Sequence, residues 1–149
     1  MNHKELTQLV EKLFSAIEKR IPDYLSDPID MNIAKGNVAV CIIDRDGNLY
    51  GKLFGTDKIL QRNFFKVAWI KASQVWITGL KTGEFETLVY AKKIDERKFG
   101  ISKPDFIGWD GGQPITVDNE TVLSVGFSGF QGVHDLEIVV KAFEDIRQK

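Results

Sequence analysis

A chain of 149 residues, 43% hydrophobic and 28% charged, is sized for one domain with a real core, and this composition excludes disorder. Its 20 basic and 21 acidic side chains nearly cancel, to a formal net charge of −1, so nothing in the charge balance points to nucleic acid or an anionic membrane as partner. The single cysteine, Cys41, excludes an internal disulfide, and a polar start that turns amphipathic reads as neither signal peptide nor membrane span; a cytoplasmic setting is expected.

Leu6, Leu9, Val10, Leu13, Phe14, Ile17 and Ile21 recur at helical spacing and predict an amphipathic helix over 3–21, ended near Pro22. The stretch 23–35, with Ser26, Pro28 and several aspartates, reads as a loop. Residues 37–44 form a continuous apolar run of strand length, expected to be buried on both faces. Arg45-Asp46-Gly47-Asn48 supplies an Asp-Gly turn, and 49–54 returns as the hairpin partner. A long helix is predicted over 58–79, with breaks at Gly79 and Gly83. Thr82 is placed to cap a short helix from 83 to about 93, although Thr87-Leu-Val-Tyr90 also suits a strand. The segment 99–107 is a further strand candidate. A second hairpin joins 115–117 to 121–127 across Asp118-Asn119, and Leu136, Val139, Val140, Phe143 and Ile146 define a closing helix. No repeat or linker interrupts 1–149, which reads as a single domain. Two short hairpins among helices imply an antiparallel sheet and the α+β class.

The long helix carries more apolar surface than one sheet covers. Leu60, Phe64, Phe65, Val67, Ala68, Trp69, Ala72, Val75, Trp76 and Gly79 span roughly 200° of its circumference. The Phe65-Trp69-Trp76 edge is therefore expected to meet a second subunit or a ligand, and a homo-oligomer, at least a dimer, follows from it. Lys71 projects within the apolar arc, between Leu60 and Val75. It either snorkels to water or serves as a pocket cation facing a carboxylate.

Further candidates for ligand contact gather near the end of the chain. Gly111 and Gly112 permit close backbone approach, or simply make a tight turn into the strand at Pro114. Trp109, Gln113, Ser128 and Gly129 are grouped with them, since the strand ending in Ser128-Gly129 leads to a helix N-terminus whose amides suit a carboxylate. Asp135, near that helix start, is either a helix-dipole charge or a site residue. Ser128 has no neighbouring histidine to activate it, so a serine nucleophile is not expected. With only His3 and His134, and no HxxxH or CxxC spacing, no metal site is expected; His134 is the best-placed protein donor should haem bind.

Gly111-Gly-Gln-Pro-Ile115, a hairpin, Gly126-Phe-Ser-Gly129, a short gap and Asp135 together resemble the signature of the GlcG/HbpS-like family. That family, often called the haem-degrading-domain family, includes the C-terminal domain of PduO-type proteins. The resemblance extends over roughly residues 5–147, with the specific motif confined to 111–135. It implies a profilin-like architecture: a central antiparallel sheet of about five strands with helices on both faces. It also implies a small-molecule ligand, with haem or another tetrapyrrole as one possibility and a small organic acid as another. The Lys-Ala pair typical of the family's long helix is matched by Lys71-Ala72, whereas Trp69 and Trp76 depart from its usual alanine-rich face. Two rival expectations stand beside ligand binding: an enzyme acting on a small organic acid through Lys71 and Asp135, and an interaction module without catalysis.

Overall fold

The strand at the centre of the molecule, β1 (Val38–Asp44), is buried along its whole length, as its unbroken apolar run predicts. The computed structural model describes residues 1–103 and 105–148. β1 pairs antiparallel with β2 (Leu49–Phe54) on one side and β4 (Glu120–Ser128) on the other, and β3 (Gly112–Val117) completes the order β2-β1-β4-β3. Strand alternation divides β1 between two layers. Val38, Val40 and Ile42 face α1 (His3–Leu25) and α5 (Gly132–Arg147), in a core that includes Leu6, Leu13, Phe127 and Ile138. Ala39, Cys41 and Ile43 face α3 (Lys58–Thr78), with Ala68 and Ala72. Helices thus cover both faces of the sheet. Burial pushes the Cys41 thiol up to about 12, so this cysteine is a small packed side chain and not a nucleophile at neutral pH.

Each hairpin is built by its turn residues. In the first, the buried Asp44 carboxylate accepts from the Asp46 and Asn48 backbone amides, the Asn48 side chain and the Tyr50 hydroxyl, while Gly47 takes φ 86°. In the second, Asp118 and Asn119 both adopt left-handed φ, 51° and 66°, the type I′ geometry matched to strand twist. β3 begins at Gly112, three residues before the expected Ile115.

The sheet has four strands, not about five. The expected fifth, 99–107, includes position 104, which lies outside the described residues; the remainder forms the end of a 3-10 turn (Glu96–Phe99) and irregular chain. Its aromatics are drawn elsewhere: Phe99 and Phe106 pack on Phe85 of α4 (Thr82–Tyr90), at 5.8 and 5.6 Å between ring centroids. That cluster half-buries them around the buried Phe85, without backbone pairing.

Three helix boundaries also differ from the expectations. Pro22 does not end α1; the helix continues to Leu25, and the Pro22 carbonyl accepts from Ser26 N. Its last turn is held by packing, with the buried Tyr24 ring stacked on Phe130 at 5.4 Å. The expected loop 23–35 contains α2 (Pro28–Ala34), in which Asp27 caps the Ile29 and Asp30 amides and Pro28 opens the helix. Thr82 begins α4 but does not cap it. Its hydroxyl donates to the Trp109 carbonyl at 2.5 Å and accepts from Gly112 N, tying α4 to the start of β3.

α3 lies unusually close to the sheet. A Cβ on Gly126 of β4 would come within 2.0 Å of the Ala68 carbonyl oxygen and 2.7 Å of Ala72 N. Only glycine at 126, with alanines at 68 and 72, permits this approach. The opposite side of α3 remains open, with Trp69 and Trp76 46% and 50% exposed. Among the described residues no helix is long and apolar enough to cross a membrane.

Candidate functional site: a cleft between α3 and the start of α5

Close packing of α3 on β4 sets Lys71 against the end of that strand. From there its ammonium donates to the Phe127 carbonyl at 2.9 Å and to Asp135 Oδ2 at 3.2 Å, and the side chain is 1% exposed. Lys71 therefore does not snorkel. Asp135, in the first turn of α5, is also buried; its Oδ1 accepts from Phe130 N at 2.8 Å. Gly111, at φ 119°, closes the arrangement from behind. A Cβ there would meet the Phe127 carbonyl at 2.6 Å, Lys71 Nζ at 2.8 Å and Asp135 Cβ at 2.9 Å. The doubled glycine of the sequence thus has a use at each position: Gly111 makes room for the ion pair, while Gly112 makes room for Thr82 and Val75.

Burial dominates the electrostatics of the pair. It raises Asp135 to about 7, overcoming the opposing pull of Lys71 and the Phe130 amide, with Asp30 adding a smaller upward push. Burial also lowers Lys71, against the attraction of Asp135 and Asp110. Both groups move toward their neutral forms, because taking two charges out of water costs more than their mutual attraction returns.

A cleft of about 530 Å³ opens in front of the pair. Its walls are apolar, from Ile33, Phe64, Val67, Trp109 and Phe130, and its polar positions are Lys71, Asp110, Ser128, Gln131 and Asp135. Gly129 and Gly132 line the end where the chain turns into α5. No side chain caps that helix: Gln131, at the cap position, turns its amide and Nε2 to Asp30 instead. The uncapped first turn, with its positive dipole end, lies beside the buried ammonium.

Of the residues singled out from sequence, Lys71, Trp109, Ser128, Gly129 and Asp135 line this cleft, and Gly111 and Gly112 form its backing. Gln113 does not line it. On β3 it alternates with Gly112, which faces α3, and so falls on the opposite face with the core residue Ile115. His134 also stands apart from the lining. Its Nδ1 lies 2.5 Å from Asp30 Oδ2, and its ring meets Tyr24 edge-on. Asp27, Asp30 and His134 bring ligand-type atoms within 4.8 Å of one another, a grouping with no trace in sequence spacing. Asp27 is engaged in capping α2 and Asp30 in holding Gln131. Sequence reasoning missed Asp110, Gln131 and the wall residue Phe130. Phe64 and Val67, read from sequence only as part of the apolar arc, were missed as wall residues too, although with Lys71 they form an i, i+3, i+7 stripe that could have placed them.

Comparison with known proteins bears on the fold and the family. No curated relative matches the chain. Among solved structures, the Klebsiella pneumoniae protein ORFY is similar, with a TM-score of 0.64 at 17% identity over 92% of this chain and 88% of that one. The haem complex of PduOC gives 0.63 at 16% identity, over 92% and 91% of the two chains. HbpS gives 0.58 at 19% identity, over 95% and 87%. At these identities the likeness establishes the fold. The model of the haem-degrading protein HbpS-like family matches residues 30–144, from α2 to near the end of α5, and the chain belongs to that family.

Proposed function

We propose that the cleft binds a small ligand through a carboxylate seated between Lys71 and the uncapped first turn of α5. The observation that carries this reading is the placement of a fully buried ammonium at the cleft floor, beside a helix N-terminus without a side-chain cap. An ammonium has three N–H donors. Phe127 and Asp135 take two of Lys71's, so one remains for a ligand oxygen. The apolar wall formed by Phe64, Val67, Trp109 and Phe130 suits a planar or hydrocarbon body behind the carboxylate. No nucleophile paired with a base lines the cleft among the described residues, so binding is favoured over catalysis.

Haem is the ligand named for PduOC and in the family's description. Haem iron takes its axial ligand from His, Cys, Met or Tyr. None of these types lines the cleft among the described residues, and His134 turns Nδ1 to Asp30 outside it. The cleft's donor set therefore does not fit haem ligated by this chain's own cleft residues, although its apolar walls and anion seat would suit a tetrapyrrole's plane and propionates.

The same reading includes a profilin-like scaffold over one domain, a cytoplasmic setting, and self-association through the face bearing Trp69 and Trp76. Native mass spectrometry of freshly purified protein reports subunit number and retained ligand together. Titration of haem and of small carboxylates into wild type and Lys71→Met then tests the seat. One charge-assisted hydrogen bond is worth about 1.5–3 kcal/mol, or roughly ten- to a hundredfold in affinity. Equal affinities of the two proteins across the set would end the case for Lys71 as the ligand contact.

A further inference from the structure

We infer that ligand binding in this cleft is coupled to the uptake of one proton, which resides on Asp135. The inference deepens the carboxylate reading and rests on it. Lys71 Nζ lies 3.2 Å from Asp135 Oδ2, and both side chains are buried. A carboxylate docked on the remaining donor of Lys71 would place two anions around one cation in a site shielded from water. Like charges this close do not both stay ionised; one takes a proton. The ligand's carboxylate retains the open cleft and the α5 amides around it. Asp135 is the enclosed member, already raised to about 7 by burial, and so it is the one that protonates.

Charged groups on the surrounding elements favour this assignment. Among the described residues Lys71 of α3 is the only cation lining the cleft, and Asp110, on the loop before β3, adds a further negative charge near it. From α2, Asp30 raises Asp135 further. On α5, His134 is turned to Asp30, and Glu137 is engaged by Lys141 and by the Tyr24 hydroxyl of α1. β4 contributes the Phe127 carbonyl, another partial negative charge. His134 adjoins Asp135 in the first turn of α5, and the test has to separate the two.

Acetate, lactate and benzoate are titrated calorimetrically into the protein at pH 7.5, in phosphate and in Tris. The different ionisation heats of the two buffers report protons taken up per ligand bound. Wild type is expected to take up about 0.5–1 proton, with affinity falling about tenfold per pH unit between pH 7.5 and 9. Asp135→Asn, which keeps an oxygen for Phe130 N, is expected to bind with almost no proton uptake and a nearly flat pH profile. His134→Gln is expected to behave as wild type. Carboxylate binding by wild type without proton uptake would overturn the coupling and leave the seat intact. Uptake lost in His134→Gln but retained in Asp135→Asn would also overturn it. Absence of any carboxylate binding would overturn the seat, and the coupling with it. Should Asp135→Asn fail to fold, the wild-type proton count, its pH profile and His134→Gln still decide.

Discussion

Replacing Gly126 with alanine tests whether the close approach of α3 to β4 builds both the core and the cleft. Gly126 sits opposite Cys41 of β1 and Gly112 of β3, under the turn of α3 that begins at Ala68. A Cβ there would lie 2.0 Å from the Ala68 carbonyl oxygen, where ordinary contact begins at 3.4 Å, so α3 must lift by about 1.4 Å. Both clashing atoms belong to backbone, and no side-chain rotation relieves them. Overpacking of this kind costs about 1–3 kcal/mol. Lys71, one turn further along, is carried with the helix, and its 2.9 Å bond to the Phe127 carbonyl is lost or stretched. Leaving that buried carbonyl and the ammonium poorly paired adds about 1–3 kcal/mol. The expected loss is about 2–6 kcal/mol, read as a lower urea midpoint at unchanged slope, together with weaker carboxylate binding. A variant within about 0.5 kcal/mol of wild type, with unchanged affinity, would refute the argument.

Four further outcomes follow from the same geometry. Lys71→Met should alter stability by about 1 kcal/mol at pH 6, where Asp135 is already protonated, and by about 3 kcal/mol near pH 8.5, where loss of the cation that holds its pKa down obliges the variant to keep a proton there; equal effects in urea at both pH values would contradict this. Because the folded state raises Asp135, its stabilising contribution is present at low pH and is lost as pH rises through about 7, so wild type should lose up to about 1.4 kcal/mol per unit across pH 5–7 relative to Asp135→Asn. At Asp44, burial pushes the carboxyl up, but the bonds from Asn48, Tyr50 and Asp46 outweigh it and hold it below its ordinary range; Asp44→Ala should therefore cost about 2–4 kcal/mol in urea unfolding at pH 7, shrinking as acid protonates the wild-type group. Trp76→Glu should shift light scattering toward the monomer at tens of micromolar if the open face of α3 is a subunit contact, since a desolvated charge is costly; a wild type already monomeric there would remove the proposed interface.

The elements were legible where local chemistry and packing agree. The buried run of β1, the Asp-Gly and Asp-Asn turns and the three long helices all declare themselves by period and turn residues. The fold departs from those signals where distant contacts override them. Pro22 is carried inside α1 because Tyr24 packs on Phe130, and the strand-like 99–107 segment is diverted to Phe85. In α2 the aspartate and proline that suggested a loop act as cap and first residue of a helix. At the cleft, Lys71 stood out because an ammonium inside an apolar arc demands a partner, and the glycine pair stood out by its doubling. Lys71 and Asp135 were named together only as candidates in one rival reading; their ion pair was not legible, since 64 positions of chain separate them and only the docking of α3 on β4 joins them. The Asp30–His134 contact, across 104 positions, was hidden for the same reason.

The strand order β2-β1-β4-β3 has a consequence for how the chain acquires its cleft. Each hairpin is closed by a short turn and can form early, but the seam between β1 and β4 joins residues such as Ala39 and Ser128 from opposite ends of the chain. Closing so long a loop is entropically slow, and its reward arrives only when both halves are in register. Lys71 lies between the hairpins in sequence, while the Phe127 carbonyl and Asp135 lie at and beyond the seam's far edge. Lys71 reaches those partners only when α3 has docked on β4, and α3 also covers Ala39, Cys41 and Ile43 of β1 on the other side of the seam. A ligand seated between Lys71 and the start of α5 would hold α3 against β4 and α5, and so raise the unfolding midpoint in proportion to its occupancy.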